Sequence, residues 1–412
     1  MKNTHLFKGI WIVFACIVLG NACNTPAKQE EKIKSLAFGE RLIADSLVFL
    51  WSRYPIDLTG DSLDDIAFTN NNAHGGSLGY FEGNADAELW MEHIIASTAP
   101  NGISFAAGDM ECSDVDADGD VDIFGIAHIG EWEWDKPEES QSVIYWYENP
   151  EWEAHVIGEA PEFVKEISAA DFDKDGFIDV CVLTFDKPSL SIFQQNPDGE
   201  WEKVQFFENY KGLHEGMELG DIDGDGNIDI VATGFVFFNP GNDLKSDWTI
   251  ENMDKKWNSQ EGDWSRNATK IFVRDINDDQ KDEVFIGHSE RAGYPLAWYQ
   301  RDDNGEWQEN IIKDSIPACH TIQVYDFDRD GNYDVLAGIN KGRAIDLGKE
   351  NFDVTIFLGE EGYMSWEPMV IEEDGIYNGQ VSDFEKDGDP DIFRYQTHDA
   401  TKLYLLKNQL KE

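Results

Sequence analysis

Short apolar runs rich in β-branched and aromatic residues recur along the chain, each headed by an acidic residue: "VDIFGIA", "IDVCVLT", "IDIVATG" and "YDVLAGI". Runs of this length, bounded by turn residues, read as β-strands. A second, aromatic run follows in most copies, as in "VIYWYENP", "FVFFNP" and "LAWYQ". A third opens on tryptophan: "EWEAHVI", "EWEKVQF", "EWQENII" and "SWEPMVI", with looser versions at Trp90 and Trp248. With the strand that precedes each acidic segment, the unit holds four strands.

The acidic segment itself lies between the first and second strands and is clearest in "DIDGDGNID" (221–229). Carboxylates at alternating positions converge, and Gly226 permits the positive φ of a tight reversal. Such a loop needs a cation, and hard oxygen donors at this density suit Ca²⁺ better than Mg²⁺ or zinc. It is not an EF-hand, because Ala232 stands where the closing Glu belongs. Copies begin at Asp57, Asp114, Asp171, Asp221, Asp275, Asp326 and Asp383, spaced 50 to 57 residues apart. Complete ligand sets are expected at Asp114, Asp116, Asp118 and Asp122; at Asp171, Asp173, Asp175 and Asp179; at Asp221, Asp223, Asp225 and Asp229; and at Asp326, Asp328, Asp330 and Asp334. Asp383, Glu385, Asp387 and Asp391 form a variant expected to bind. Asp275, Asn277, Asp279 and Glu283 form a weaker one, with Gln280 in place of the glycine. The loop at Asp57, with Thr59 and Ser62, is expected to keep the turn without the ion.

Strand-rich repeats near fifty residues indicate propeller blades rather than a helical solenoid. The tryptophan marker occurs six times and the acidic loop seven. The missing strand is "AFGERLI" (37–43), with Phe38 in the tryptophan position, and only two strands follow the last loop. The expected fold is therefore all-β: a seven-bladed β-propeller over 36–412, four antiparallel strands per blade, with the N-terminal strand completing the last blade. Closure of this kind removes exposed sheet edges.

On these loops the chain resembles the FG-GAP/VCBS propeller family, whose blades carry D-x-D-x-D-G-x-x-D segments. The resemblance spans nearly all of the chain after its first 35 residues and implies the fold and several structural Ca²⁺ ions. It leaves function open, because the family includes adhesins, glycan binders and enzymes. Some seven-bladed propellers are polysaccharide lyases, including lyases of the algal polymer ulvan, and this chain looks compatible with that group.

Composition narrows the partners. The 412 residues are 41% hydrophobic and 13% aromatic, ample for a sizeable β core. The net charge is −50, from 82 acids against 32 bases, more than bound calcium would offset. Nucleic acid is excluded as a partner on this ground.

The N-terminus reads as a targeting segment. Lys2 and Lys8 precede an apolar stretch from Gly9 to Gly20, too short to span a bilayer. Ala22–Cys23 then resembles a bacterial lipoprotein cleavage site, making 1–22 a signal peptide, Cys23 the lipidated residue and 23–35 a tether. The protein is then held at the cell envelope by its lipid alone, with plain secretion as the alternative. The remaining cysteines, Cys112, Cys181 and Cys319, are odd in number and lack zinc-type spacing, so no disulfide framework is expected.

The candidate chemistry follows from which face each residue occupies. His93 and His155 fall in outer strands and read as structural. His74, His128, His288 and His398 map to second-strand ends, and His214 and His320 to first-strand starts, all on the face opposite the acidic loops. Arg266, Arg291, Tyr294, Lys341 and Arg343 map to the same rim. This set suggests an anionic ligand, and uronic-acid polysaccharide is the natural candidate for an envelope protein. Elimination from a uronate requires a neutralised carboxylate, a base and an acid. Arg291 or Arg266 would neutralise, His128, His214 or His320 would act as base, and Tyr294 would protonate the departing oxygen. A sugar leaving group makes the enzyme a lyase, and hydroxyl makes it a dehydratase. Two alternatives stand beside this: a non-catalytic glycan binder stacking sugars on Trp132 and Trp134 of the long loop 129–141, and a protein-adhesion module.

Overall fold

The computed structural model describes residues 36–70, 76–129, 141–185, 188–208, 210, 212–258 and 266–410. Among them, twenty-eight strands form seven antiparallel sheets of four, arranged as propeller blades. The innermost strands of blades one to seven are Leu50–Ile56, Cys112–Ser113, Val164–Ala170, Met217–Gly220, Thr269–Arg274, Cys319–Tyr325 and Gln380–Ser382. Each blade then steps outward in chain order. Blade seven is the exception: its outermost strand is Phe38–Asp45, which pairs Phe38 with Asn408 and Asp45 with Lys402.

Position in the blade explains the residue patterns. Second strands such as Asp179–Thr184 and Asp334–Ile339 are buried at every residue, being covered on both faces by neighbouring blades. Fourth strands such as Trp201–Phe207 mix half-buried and exposed residues with none fully buried, because the outer edge of the blade meets water. The core is accordingly not one centre but a set of layers between blades. Phe172, Leu183, Ile230 and Phe237 pack blade three against four, and Trp90, Phe384 and Phe393 pack blade one against seven.

The glycine of the acidic loops does what its position demands. Gly226 has φ 82°, and Gly119, Gly176, Gly331 and Gly388 lie between 88° and 104°. Gln280 and Ser62 hold the same turn at 70° and 75°, so both degenerate loops keep the backbone course. One helix occurs among the described residues, Lys341–Asp346 between the second and third strands of blade six. No described helix is long and apolar enough to cross a membrane.

Candidate functional site

Two sets of polar residues stand out, one on each face. On the first face, the ninth-position acid of each loop opens a second strand and is fully buried. Asp229 accepts from Ile222 N–H at 3.1 Å and Asn239 N–H at 2.8 Å. Asp179 likewise accepts from Phe172 and Gln195, and Asp334 from Phe327 and Gly359. The acid therefore staples its own loop to the end of the third strand. Burial pushes Asp229 and Asp334 up to about 8 and Asp179 to about 7, against the pull of those N–H donors.

The other loop acids fold inward. In four loops three carboxylate oxygens lie within 4.8 Å of one another: Asp114, Asp116 and Asp122; Asp171, Asp173 and Asp179; Asp221, Asp223 and Asp225; Asp326, Asp328 and Asp334. This is a hard, all-oxygen donor set of the kind calcium takes. The two variant loops are built differently. Asn277 donates its amide to Glu283 Oε1 at 2.7 Å, while Asp275 accepts from Asn277, Asp279 and Gln280. In the last loop Lys407 pairs with Glu385, and Arg329 donates to the Asp387 carbonyl at 2.8 Å and pairs with Asp389. Asp391 is a buried staple there too, accepting from Asn408. Protein cations thus approach the seventh loop where an ion would.

On the opposite face, the axial mouth is built by blades five, six and seven. His320 is the second residue of its innermost strand and is 1% exposed. Its Nδ1 lies 3.2 Å from Asn378 Oδ1, and its Nε2 2.9 Å from Glu290 Oε1. Asn378 Nδ2 donates to the Trp51 carbonyl, which fixes the amide with its oxygen toward the ring. Both imidazole nitrogens therefore face oxygens, and both bonds form together only when the ring carries two protons. Glu290 is itself held by Arg343 Nε at 2.8 Å, delivered by the short helix of blade six.

Tyr377 lies between two imidazoles, 4.6 Å from the His320 ring and 4.4 Å from His398. Burial drives His398 down to about 4, with charged His320 adding to the shift, so His398 is neutral near pH 7. Its Nδ1 lies 3.3 Å from Asn340 Nδ2, the side chain that also caps the helix. Below the rings, Glu215 Oε1 is shared by Lys165 at 3.4 Å, Lys270 at 3.5 Å and His320 at 4.0 Å. Burial alone would raise Glu215, but Lys165, Lys270, His320 and His214 together hold it well below the usual carboxylate range. Burial also raises the Tyr377 hydroxyl to about 12, while the two lysines pull the other way.

The axis beneath His320 holds a cavity of about 60 Å³, lined by Lys270, Asn378, Glu166, Asp109 and Glu218. Burial raises Asp109 to about 7 and Glu218 well above the ordinary value, which favours their protonated forms beside charged Lys270.

Of the residues marked from sequence, His320, His398 and Arg343 converge at this mouth. His128 is instead buried beside Ser142 and the edge of Phe163, and His214 beside Phe185. Burial lowers both to about 4. His288 is buried beneath Tyr294, whose ring stacks on it at 3.9 Å. Lys341 pairs with Asp374. Arg266 precedes the innermost strand of blade five by three residues, and Arg291 lies in the turn after its second strand, where its carbonyl accepts from Ala318. His74, Trp132, Trp134 and Cys23 lie outside the described residues. Tyr377, Glu290, Lys165, Lys270, Glu215 and Asn378 were not marked. A signal was available for some: each stands at or just before an innermost strand, apart from Glu290, which follows a second one.

The FG-GAP-like repeat family matches at residues 114–182 and 171–232. Among curated proteins, no sequence matches the chain. Solved structures that resemble it include an Agrocybe aegerita lectin that recognises non-reducing terminal N-acetylglucosamine, at 15% identity over 89% of this chain and 86% of that one, with TM-score 0.50. Another is BBS1N in complex with ARL6DN, at 12% identity over 90% and 97%, TM-score 0.50. A third is the rhamnogalacturonan lyase YesW, at 13% identity over 90% and 74%, TM-score 0.47. At these identities the likeness concerns the fold alone. The chain is a seven-bladed β-propeller that carries FG-GAP-like repeats.

Proposed function

We propose that the protein is an envelope-anchored, carbohydrate-active lyase that cleaves a uronic-acid-containing poly- or oligosaccharide by β-elimination at the axial mouth. The observation that carries this reading is the grouping of the His320, Tyr377 and His398 rings beside the Lys165–Glu215–Lys270 cluster. The cavity below is too small for a sugar ring but has room for a carboxylate; Lys270 lines it, and Lys165 reaches the same Glu215. In the proposed reaction Lys165 and Lys270 neutralise the uronate carboxylate, acidifying the adjacent C–H. Tyr377 removes that proton as tyrosinate, the form that Lys165 and Lys270 favour against the effect of burial. The electron pair forms the new carbon–carbon double bond, and the C–O bond across it breaks. Tyr377, now a phenol, passes the proton on to the departing oxygen, while His320, both of whose nitrogens are taken by Glu290 and Asn378, holds the Tyr377 ring in place. These assignments replace Arg291, Arg266 and Tyr294 with residues that share one site. A hydroxyl leaving group makes the same site a dehydratase.

Trp51, half-buried with its ring 6.0 Å from His398, favours a second reading: a glycan-binding protein that stacks sugar at the mouth without turnover. Under either reading, Ca²⁺ in the four complete loops is a structural cofactor that holds the hairpins of the opposite face. The donor set of those loops supports it, and Asp275 and Asp383 head the weaker sites. Incubation with uronate-containing polysaccharides decides between the readings. New ultraviolet absorbance from an unsaturated uronate supports the lyase, and binding without it supports the glycan binder. If neither occurs, both readings fail and adhesion to a protein becomes the better account.

A further inference from the structure

Beside the mouth, blade one places a buried guanidinium. Arg53, fourth in the innermost strand Leu50–Ile56, is 2% exposed. Its Nη2 donates to two consecutive carbonyls just before the innermost strand of blade seven, Tyr377 at 2.8 Å and Asn378 at 2.6 Å. Its Nη1 donates to the Leu50 carbonyl and, at 3.5 Å, to that of Trp51. The guanidinium carbon lies over the Tyr395 ring, 4.8 Å from its centre. No carboxylate among the described residues pairs with this cation. Burial lowers it to about 10, with Tyr395 and Tyr377 pulling the other way, so it is charged at neutral pH.

Taking a cation out of water without a counterion is costly, and what Arg53 gains in return is the reach of a rigid donor fork. The fork holds a turn of uncommon shape. Asn378 has φ 45°, a left-handed conformation that residues other than glycine seldom adopt. The remaining bonds of this turn run to blade six. Asn378 N–H donates to the His320 carbonyl at 3.2 Å, and Gly379 N–H donates to the Thr321 hydroxyl at 2.9 Å. The two side chains on the turn are the ones that meet His320, the Tyr377 ring at 4.6 Å and the Asn378 amide oxygen at 3.2 Å.

We propose that Arg53 is a positioning residue of the mouth: by gripping the Tyr377 and Asn378 carbonyls, it sets where the Tyr377 ring and the Asn378 amide stand against His320. Its catalytic consequence rests on the lyase reading, whereas its effect on the geometry does not. Lysine at this position keeps the charge but replaces a planar fork by a single ammonium on a flexible stem, which cannot grip the turn and Leu50 together. A reacting group displaced by about 1 Å can lose about 10²-fold in rate. Lys165 and Lys270, assigned to the uronate carboxylate, are engaged with Glu215 instead, so substrate binding is largely spared.

The test compares Arg53→Lys with Tyr395→Phe in the full chain. Tyr395→Phe removes a hydroxyl that donates to the Ala400 carbonyl and accepts from Leu50 N–H at 3.4 Å, and serves as the structural control. One readout is the rate of unsaturated-product formation. The other is the spectrum of ¹³C-labelled histidine, in which the His320 and His398 signals, assigned from His320→Gln and His398→Gln, report the ring current of Tyr377. Arg53→Lys should lower kcat about 10²-fold with little change in KM and should shift both signals. Tyr395→Phe should lower the melting temperature while leaving kcat and both signals in place. If Arg53→Lys lowers the melting temperature alone, the residue is a structural clamp and the proposal fails. Equal shifts in Tyr395→Phe overturn it as well, since loosened packing then explains them. Signals that move only in Arg53→Lys, in a chain that turns over no uronate polymer, support the positioning role and count against the lyase reading. Should Arg53→Lys fail to fold, Arg53→Gln, whose amide still reaches for one carbonyl, carries the same comparison.

Discussion

Asp229 Oδ1 accepts the backbone N–H of Asn239 at 2.8 Å, tying the head of the second strand of blade four to the residue that follows the third. Its other oxygen accepts from Ile222. This staple is made whether or not an ion is present, whereas Asp225 bonds only within the exposed loop. Asp229→Ala should therefore cost about 2–4 kcal/mol, because two buried N–H groups lose their acceptor. Thermal melts with and without a calcium chelator separate the two roles. The loss in Asp229→Ala should persist in chelator, whereas that in Asp225→Ala should appear only with calcium and exceed that in Asp61→Ala. An Asp225→Ala penalty independent of calcium would count against ion binding in this loop.

The fifth acidic loop makes its reversal without glycine, holding Gln280 at φ 70°. A side chain there strains the backbone, and Asp275 Oδ2 already accepts the Gln280 N–H at 2.9 Å, so the turn survives substitution. Gln280→Gly should raise stability by about 0.5–1 kcal/mol, the relief of left-handed strain exceeding the entropy that glycine adds to the unfolded chain. A denaturant midpoint that moves down instead would place the strain elsewhere.

The blades were legible in sequence because each repeats a set of local rules. An acid opens a strand buried on both faces, a glycine turns the loop, and a tryptophan opens a strand wetted on one face. These signals need no knowledge of distant residues, and even the closing strand at Phe38 could be assigned by counting markers. The site was legible only in part. The face was readable, which is how His320, His398 and Arg343 were marked. Which blades converge was not, since Glu290, His320 and Tyr377 come from blades five, six and seven and meet only when the ring closes. Burial was hidden as well: His128 lies near the end of one second strand and His398 just past another, yet one sits against Phe163 and the other against Tyr377 at the mouth.

At the mouth, the proposed roles predict unequal losses. Tyr377→Phe removes the hydroxyl but keeps the ring packed against both imidazoles, so turnover should fall about 10²–10⁴-fold with the fold intact. Glu290→Gln leaves His320 without its anionic partner and should lower kcat with little change in KM. His128→Gln, whose ring lies beside Ser142 away from the stack, should leave turnover near that of the unmutated chain. Rates of unsaturated-product formation check all three, and equal losses in Tyr377→Phe and His128→Gln would defeat the assignment.

Glu111 gives a pH dependence with a definite sign. Burial raises its carboxyl from 4.5 to about 8, reinforced by Asp109 and opposed by hydrogen bonds from Cys112 N–H and the Tyr54 hydroxyl. The unfolded chain loses this proton near the ordinary value while the folded chain keeps it, so the folded state binds more protons in between. Its contribution to stability is present below pH 4.5 and is lost as pH rises through about 8. Glu111→Gln removes that loss. The melting temperature of the variant, relative to the unmutated chain, should rise by a few degrees between about pH 5 and about pH 9. A difference that stays constant over this range would show that Glu111 is ionised in the fold.

The ring is closed by the strand Phe38–Asp45, which covers Lys402–Asn408 and forms the outer edge of blade seven. Its contribution is more than hydrogen bonds. Ile43 is fully buried in the layer between blades seven and one, its carbonyl accepts from Trp90 N–H at 2.9 Å, and Leu36 is buried between blades six and seven. Ile43→Ala should cost about 2–5 kcal/mol, because blade one cannot collapse onto the space left. Removing residues up to Asp45 should do something different in kind. It bares Lys402–Asn408 as an unpaired strand, and such edges associate with one another. Size-exclusion profiles should then show concentration-dependent oligomers that Ile43→Ala, with its edge still covered, does not form. A truncated chain that stays monomeric and melts like the unmutated chain would mean that the ring does not rely on this strand for closure.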